Sequence, residues 1–158
     1  MTLPENDTSR LDAISAAATE VAAHNVADLL AMAICHRPDE PALVVCDKRS
    51  WLNVVLTEAY RQALPDATFI DFDDVTPEAV LAAFAELPAG SLVVLIQSTS
   101  FRLEAFRIRI ELFKRGLKVI EHVHLSRMPG VQGLHYIASL AYDPAYYRGV
   151  GHALKARI

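Results

Sequence analysis

Residues 92–96 read LVVLI, five apolar residues in a row with three β-branched among them. The run is too short for a globular helix and too uniformly apolar for a half-exposed strand. A strand covered on both faces reads this way, and such strands belong to parallel sheets. The run stops at Gln97, Ser98, Thr99 and Ser100, hydroxyl-rich residues able to cap a following helix. Lys114, Arg115 and Gly116 then supply a basic last turn and a glycine for a left-handed cap. Residues 117–120 (LKVI) form the next strand. Strand, helix of roughly four turns and strand make a right-handed βαβ crossover.

Within that helix, residues 106–112 (FRIRIEL) alternate with period two, the signature of a strand. Helix is the expectation over 101–115, because its Leu, Glu, Ala, Arg and Lys are good helix formers and no turn residue interrupts it. On a helical wheel Phe101, Ala105, Ile108 and Leu112 form one apolar arc, and Leu103, Phe106, Ile110 and Phe113 another. A helix apolar on two sides needs the sheet on one and a neighbouring helix or a second subunit on the other.

The rest of the chain repeats the unit. A helix capped by Thr8 or Ser9 runs to about His36 on apolar and alanine positions at threes and fours, and Arg37 and Pro38 end it. Residues 41–46 (PALVVC) form the first strand, and Asp47, Lys48, Arg49 and Ser50 are its polar end. Ser50 caps a helix over 51–64. Residues 67–72 are the second strand, ending in the acidic string Asp71, Asp73, Asp74. Thr76, Pro77 and Glu78 start a third helix in cap, proline, acid order. Two short helices follow residue 130, the second capped by Asp143 and Pro144. The expectation is one domain over 1–158. It is a three-layer, Rossmann-like α/β fold with a four-stranded parallel sheet ordered 2-1-3-4. A long helix occupies 1–40, the βαβαβαβ core 41–125, and the last helices 126–158.

Formal net charge is −4 with no basic run, which argues against nucleic acid as the main partner. No stretch is long and apolar enough for a bilayer, and Cys35 and Cys46 lie in no metal or redox motif, so a cytoplasmic protein with free thiols is expected. The 53 % hydrophobic content exceeds what a core of this size uses, and points to interaction surfaces, a homodimer among them.

Ligands of open parallel sheets bind beyond the carboxyl ends of the strands, where strand order reverses. With order 2-1-3-4 that crevice receives Asp47, Lys48, Arg49 and Ser50 from one side. Gln97, Ser98, Thr99, Ser100 and Arg102 come from the other. Free N–H groups, hydroxyls and an arginine suit a small anion or carboxylate; the same residues also serve as plain caps and turns. His122 and His124 fall on one side of an extended chain, where they could hold a divalent metal with Glu121 or an aspartate; a hydrogen-bonded pair is the alternative. The first strand runs into CDKRSWL without glycine, so no nucleotide-binding fingerprint is present and no cofactor is assigned.

Three stretches carry a family resemblance: PALVVCDKRSWLNVVLTEAY, LVVLIQSTSFRLEAFRIRIELFKRGLKVIEH and SLAYDPAYYRGVGHALKARI. In their layout they resemble the amino-terminal domain of the aminopeptidase T (M29 metallopeptidase) family and its dihydroxypyridine dioxygenase relatives. That family keeps its metal ligands in a carboxy-terminal domain. The resemblance therefore implies a non-catalytic half that shapes a cleft or a dimer, with no catalytic residue here. The helical pattern still running at Ile158 fits a chain heading toward a second domain. A free-standing small-molecule binding domain and a homodimeric interaction module are the competing expectations.

Overall fold

The computed structural model describes residues 5–101, 103 and 108–157, with the side chains of residues 5–10 outside the description. Four parallel strands, β1 (Ala42–Cys46), β2 (Thr68–Asp71), β3 (Leu92–Ile96) and β4 (Lys118–His122), form one sheet in the order β2-β1-β3-β4. Register is in step across the centre: Val44 faces Val94 and Phe69, and Val94 faces Ile120. The α/β fold, the parallel sheet and its order are those the sequence implies.

Alternation along the strands sorts side chains into two cores. Val44, Cys46, Val94, Ile96 and Ile120 meet a layer made by α1 (Glu5–Asp28), α2 (Trp51–Ala63) and α5 (Val131–Ser139). Leu43, Val45, Val93, Leu95 and Val119 meet α3 (Pro77–Ala85) and α4 (Ile108–Lys114) on the other face. β3 is buried at every position, as a central strand with a layer on each side must be. Each large side chain so buried contributes on the order of 2 kcal/mol.

The caps act where the sequence puts them. Ser50 accepts from the Asn53 N–H at the start of α2, and Thr76 accepts from the Ala79 N–H at the start of α3. Asp143 accepts from the Ala145 and Tyr146 N–H groups ahead of α6 (Pro144–Lys155). Gly116 closes α4 at φ 75°, left-handed as expected. The last turns of the long first helix widen into a π-helical segment, Leu29–Ile34, closed by Cys35 at φ 52°.

Two expectations change. The helix expected over 101–115 is seen from Ile108; Phe101 and Leu103 are not helical, while Arg102 and residues 104–107 lie outside the described residues. The physical reason is Gln97, whose side-chain oxygen accepts from the Phe101 N–H at 2.7 Å and holds the chain in a turn there. Ile108 to Leu112 is helix, so the strand alternative fails for that part of the period-two stretch. At the other rim β4 runs two residues further than expected and takes in Glu121 and His122. None of the described helices is long and apolar enough to cross a membrane.

Candidate functional site

Beyond the strand ends, the reversal point between β1 and β3 is occupied by Asp47. Its Oδ2 accepts from the Ser98 N–H at 2.8 Å and the Ser98 hydroxyl at 2.9 Å. Its Oδ1 accepts from the Arg49 N–H and from Asn53 Nδ2, both at 3.0 Å. Four donors fill a carboxylate's acceptor sites. Asp47, Asn53 and Ser98 are buried, so the cluster fastens the ends of β1 and β3 to α2 and leaves no acceptor for a ligand.

The neighbouring cations turn away from this point. Lys48 Nζ lies 2.8 Å from Asp71 Oδ2, and Arg49 makes a two-pronged pair with Asp73. Lys48 lowers the pKa of the Asp71 carboxyl, and Asp71 in return raises that of Lys48. The acidic string after β2 thus neutralises the basic string after β1.

His122 ends β4 on the α2 and α5 side. Its Nε2 is 2.9 Å from the Tyr60 hydroxyl and its Nδ1 is 2.6 Å from the Tyr136 hydroxyl. Burial alone pushes the imidazole down to about 4, so the ring is neutral. Burial also raises the Tyr60 phenol, and takes Tyr136 up to about 12. Tyr60 is fully buried while Tyr136 reaches the surface. Tyr60 therefore gives its proton to Nε2, its one hydrogen-bond partner among the described residues, and Nδ1–H donates to Tyr136, whose own proton can go to water; this tautomer follows from the network. With both nitrogens engaged, His122 offers no lone pair to a metal. His124 does not continue the alternation, because the strand ends at His122 and His124 is left-handed at φ 57°. Among the described residues no three His, Cys, Asp or Glu side chains gather as a metal site.

An open cleft of about 340 Å³ lies one strand over, at the ends of β3 and β4 on the α4 side. Leu95 and Gln97 reach it from the end of β3, Glu121 from β4, and Arg109 from the first turn of α4. Ser100, Phe101, Leu103 and Ile108 complete its wall. Gln97 Nε2 donates to Glu121 Oε1 at 3.1 Å, and Arg109 reaches Glu121 Oε2 at a long 3.4 Å. Phe101 is fixed by stacking on Phe72, with centroids 4.2 Å apart. A cationic fork, a carboxylate, an amide and a hydroxyl over an apolar floor can orient a small polar molecule.

The strand-end residues picked from the sequence thus divide. Asp47 and Ser98 bind each other, Lys48 binds Asp71, and Ser50 caps α2. Gln97 and Ser100 line the cleft, Thr99 is exposed beside it, and Arg102 lies outside the described residues. Arg109 and the wall at Leu103 and Ile108 were missed as site residues. Arg109 belongs to a pattern that reads as the solvated face of a longer helix. Glu121 was legible only as a metal partner, although its parity with Val119 places it on the α4 side.

No family model matches this sequence, and no match is found among curated proteins or solved structures.

Proposed function

We propose that this chain is a non-catalytic α/β domain that holds a small carboxylate, or a comparable anion, in the cleft between the ends of β3 and β4 and the start of α4. The observation that carries the reading is the Arg109–Glu121 contact. Among the described residues one of the five guanidinium N–H groups is used, at 3.4 Å, and the Arg109 side chain is more than half exposed. A ligand carboxylate could accept two short, charge-assisted bonds from the same fork. Ser100 is placed to add a hydroxyl, and Phe101, Leu103 and Ile108 suit a short apolar body. Binding rather than chemistry is favoured because His122 is neutral and doubly bonded, and Asp47 is saturated. The likeness to the amino-terminal half of aminopeptidase T-type proteins fits this division of labour, with a cleft-shaping domain here and catalysis elsewhere.

Thermal-shift measurements with short aliphatic and aromatic carboxylates and inorganic anions test the reading. A ligand at 100 times its Kd adds about 2.7 kcal/mol, which raises the melting temperature of a chain this size by roughly 5–10 °C. Arg109→Ala should abolish the shift. Glu121→Gln should enlarge it at a fixed sub-saturating ligand concentration, because it removes the carboxylate that competes for Arg109. No shift with any compound, or a shift that Arg109→Ala leaves intact, would dispose of the reading.

A further inference from the structure

We infer that two copies of this chain pair through antiparallel α1 helices, each placing its α6 in an apolar groove of the other. The evidence lies away from the rim cleft and does not depend on it.

The inner face of α1 packs on α2, with Ala18, Ala22 and Val26 in the core, and Leu30 of the π-helical segment continues the stripe. On the flank beside that stripe Leu11, Ile14 and Val21 stand 44–54 % exposed, with the His24–Asp28 pair next to Val21. Leu11 and Ile14 also form one wall of a groove of about 530 Å³, with Trp51, Met128, Val131 and Leu134 opposite. Val131 and Leu134 are exposed as well.

The complementary element is α6. None of its residues is buried, and Tyr146, Tyr147, Val150 and Leu154 are 43–63 % exposed. Those four positions fall within about 100° of one another on a helix, so they form one exposed apolar stripe, in which Tyr147 also stacks on Tyr142. A standard interface buries about 800 Å² on each partner. Nine large side chains at this level of exposure supply area of that order.

The stripe cannot fill the groove of its own chain. Arg148 ties α6 to the far end of the first helix, donating to the Met32 carbonyl at 3.1 Å. From Arg148 to Leu154 is about 9 Å of helix, whereas Met32 lies about 27 Å from Ile14 along the first helix. In a second copy running antiparallel the distance vanishes. A two-fold axis near residue 23 sets Met32 of one chain beside Ile14 of the other, and exposed Val21 falls close to the axis. Such an isologous arrangement repeats each contact and closes on itself.

Light scattering coupled to size exclusion, on the full chain between about 5 and 100 μM, reads the result. The expected mass is twice the 17.4 kDa chain. Val21→Asp and Leu154→Asp should each give a monomer with an unchanged far-UV spectrum, since both side chains face solvent in the single chain. If an aspartate disturbs its helix, Val21→Ala and Leu154→Ala replace them and should weaken the dimer at least tenfold. A monomer at every concentration, or a dimer that survives either substitution, overturns the inference. Carboxylate binding at the rim should persist in the monomeric variants, so failure here is separate from failure of the cleft.

Discussion

The hydroxyl of Tyr60, in the last turns of α2, lies 2.9 Å from Nε2 of His122 at the end of β4. It ties a helix of one layer to the last strand of the sheet, in a place from which water is excluded. Tyr136 closes the chain on the other ring nitrogen at 2.6 Å and brings it toward solvent. A neutral imidazole with one donor and one acceptor is satisfied by this pair.

The first consequence is a pH dependence of stability. Burial takes His122 from 6.5 down to about 4 in the folded chain. Between those values the unfolded chain binds a proton that the folded chain refuses, so stability falls as pH drops from about 6.5 toward 4 and levels below. The stabilisation is fully present above the unfolded value. The loss totals roughly 3 kcal/mol for a shift of this size. His36, also lowered by burial, adds to the slope with the same sign. Urea melts of wild type and His122→Gln across that range check it; a variant as pH-dependent as the parent would contradict the assignment.

The two tyrosines should not be equivalent. Tyr60→Phe strands the buried Nε2 lone pair and should cost about 1–3 kcal/mol. Tyr136→Phe leaves Nδ1–H where water can reach it, and should cost less than about 1 kcal/mol. Denaturant midpoints at pH 8 give the order, and nitrogen chemical shifts of the ring give the tautomer. Equal losses, or a protonated Nε2, would refute the hydrogen-bond direction given above.

Asp47 and Ser98 fasten the switch point, and their variants should rank by the number of bonds broken. Ser98→Ala removes one hydroxyl donor and should cost about 1–2 kcal/mol. Asp47→Asn turns an amide donor toward two of the N–H and O–H groups that the carboxylate accepts. It should cost about 3 kcal/mol or more, since bonds to a charged group are the stronger ones. Equilibrium unfolding in urea measures both. Asp47→Asn costing no more than Ser98→Ala would mean that the clasp is not closed in solution.

How far the sequence could be read follows from the same residues. LVVLI could only be a covered strand, and Ser50, Thr76, Asp143 and Gly116 punctuate helices by local chemistry, so elements and strand order were legible. Periodicity assigns a side chain to a face only while its strand lasts. Glu121 and His122 lie on a strand that runs two residues further than its apolar part, and the alternation linking His122 to His124 fails where the chain turns left-handed. Lys48 and Arg49 choose Asp71 and Asp73, more than twenty residues away, and that choice depends on how the rims of β1 and β2 meet. The stop that Gln97 puts on the next helix is also tertiary, since its amide is oriented by Glu121.

Two glycines at the start of α5 separate strain from overlap. Gly130 has φ 57° and ψ −124°, a combination open to glycine alone, yet a Cβ there would meet nothing within 4 Å. Gly133 is helical, but a Cβ would lie 2.9 Å from the Trp51 ring and 3.1 Å from the Met128 carbonyl. The ring cannot yield freely, because Trp51 Nε1 donates to the Ser15 hydroxyl at 2.9 Å. Gly130→Ala should cost about 1–3 kcal/mol through the backbone, with tryptophan fluorescence unchanged. Gly133→Ala should cost a similar 1–3 kcal/mol through overpacking, but should shift the emission of Trp51, the chain's single tryptophan. Releasing that ring with Ser15→Ala should recover part of the Gly133→Ala loss and none of the Gly130→Ala loss. Equal recovery in both backgrounds would show that Trp51 does not set the spacing between α5 and α2.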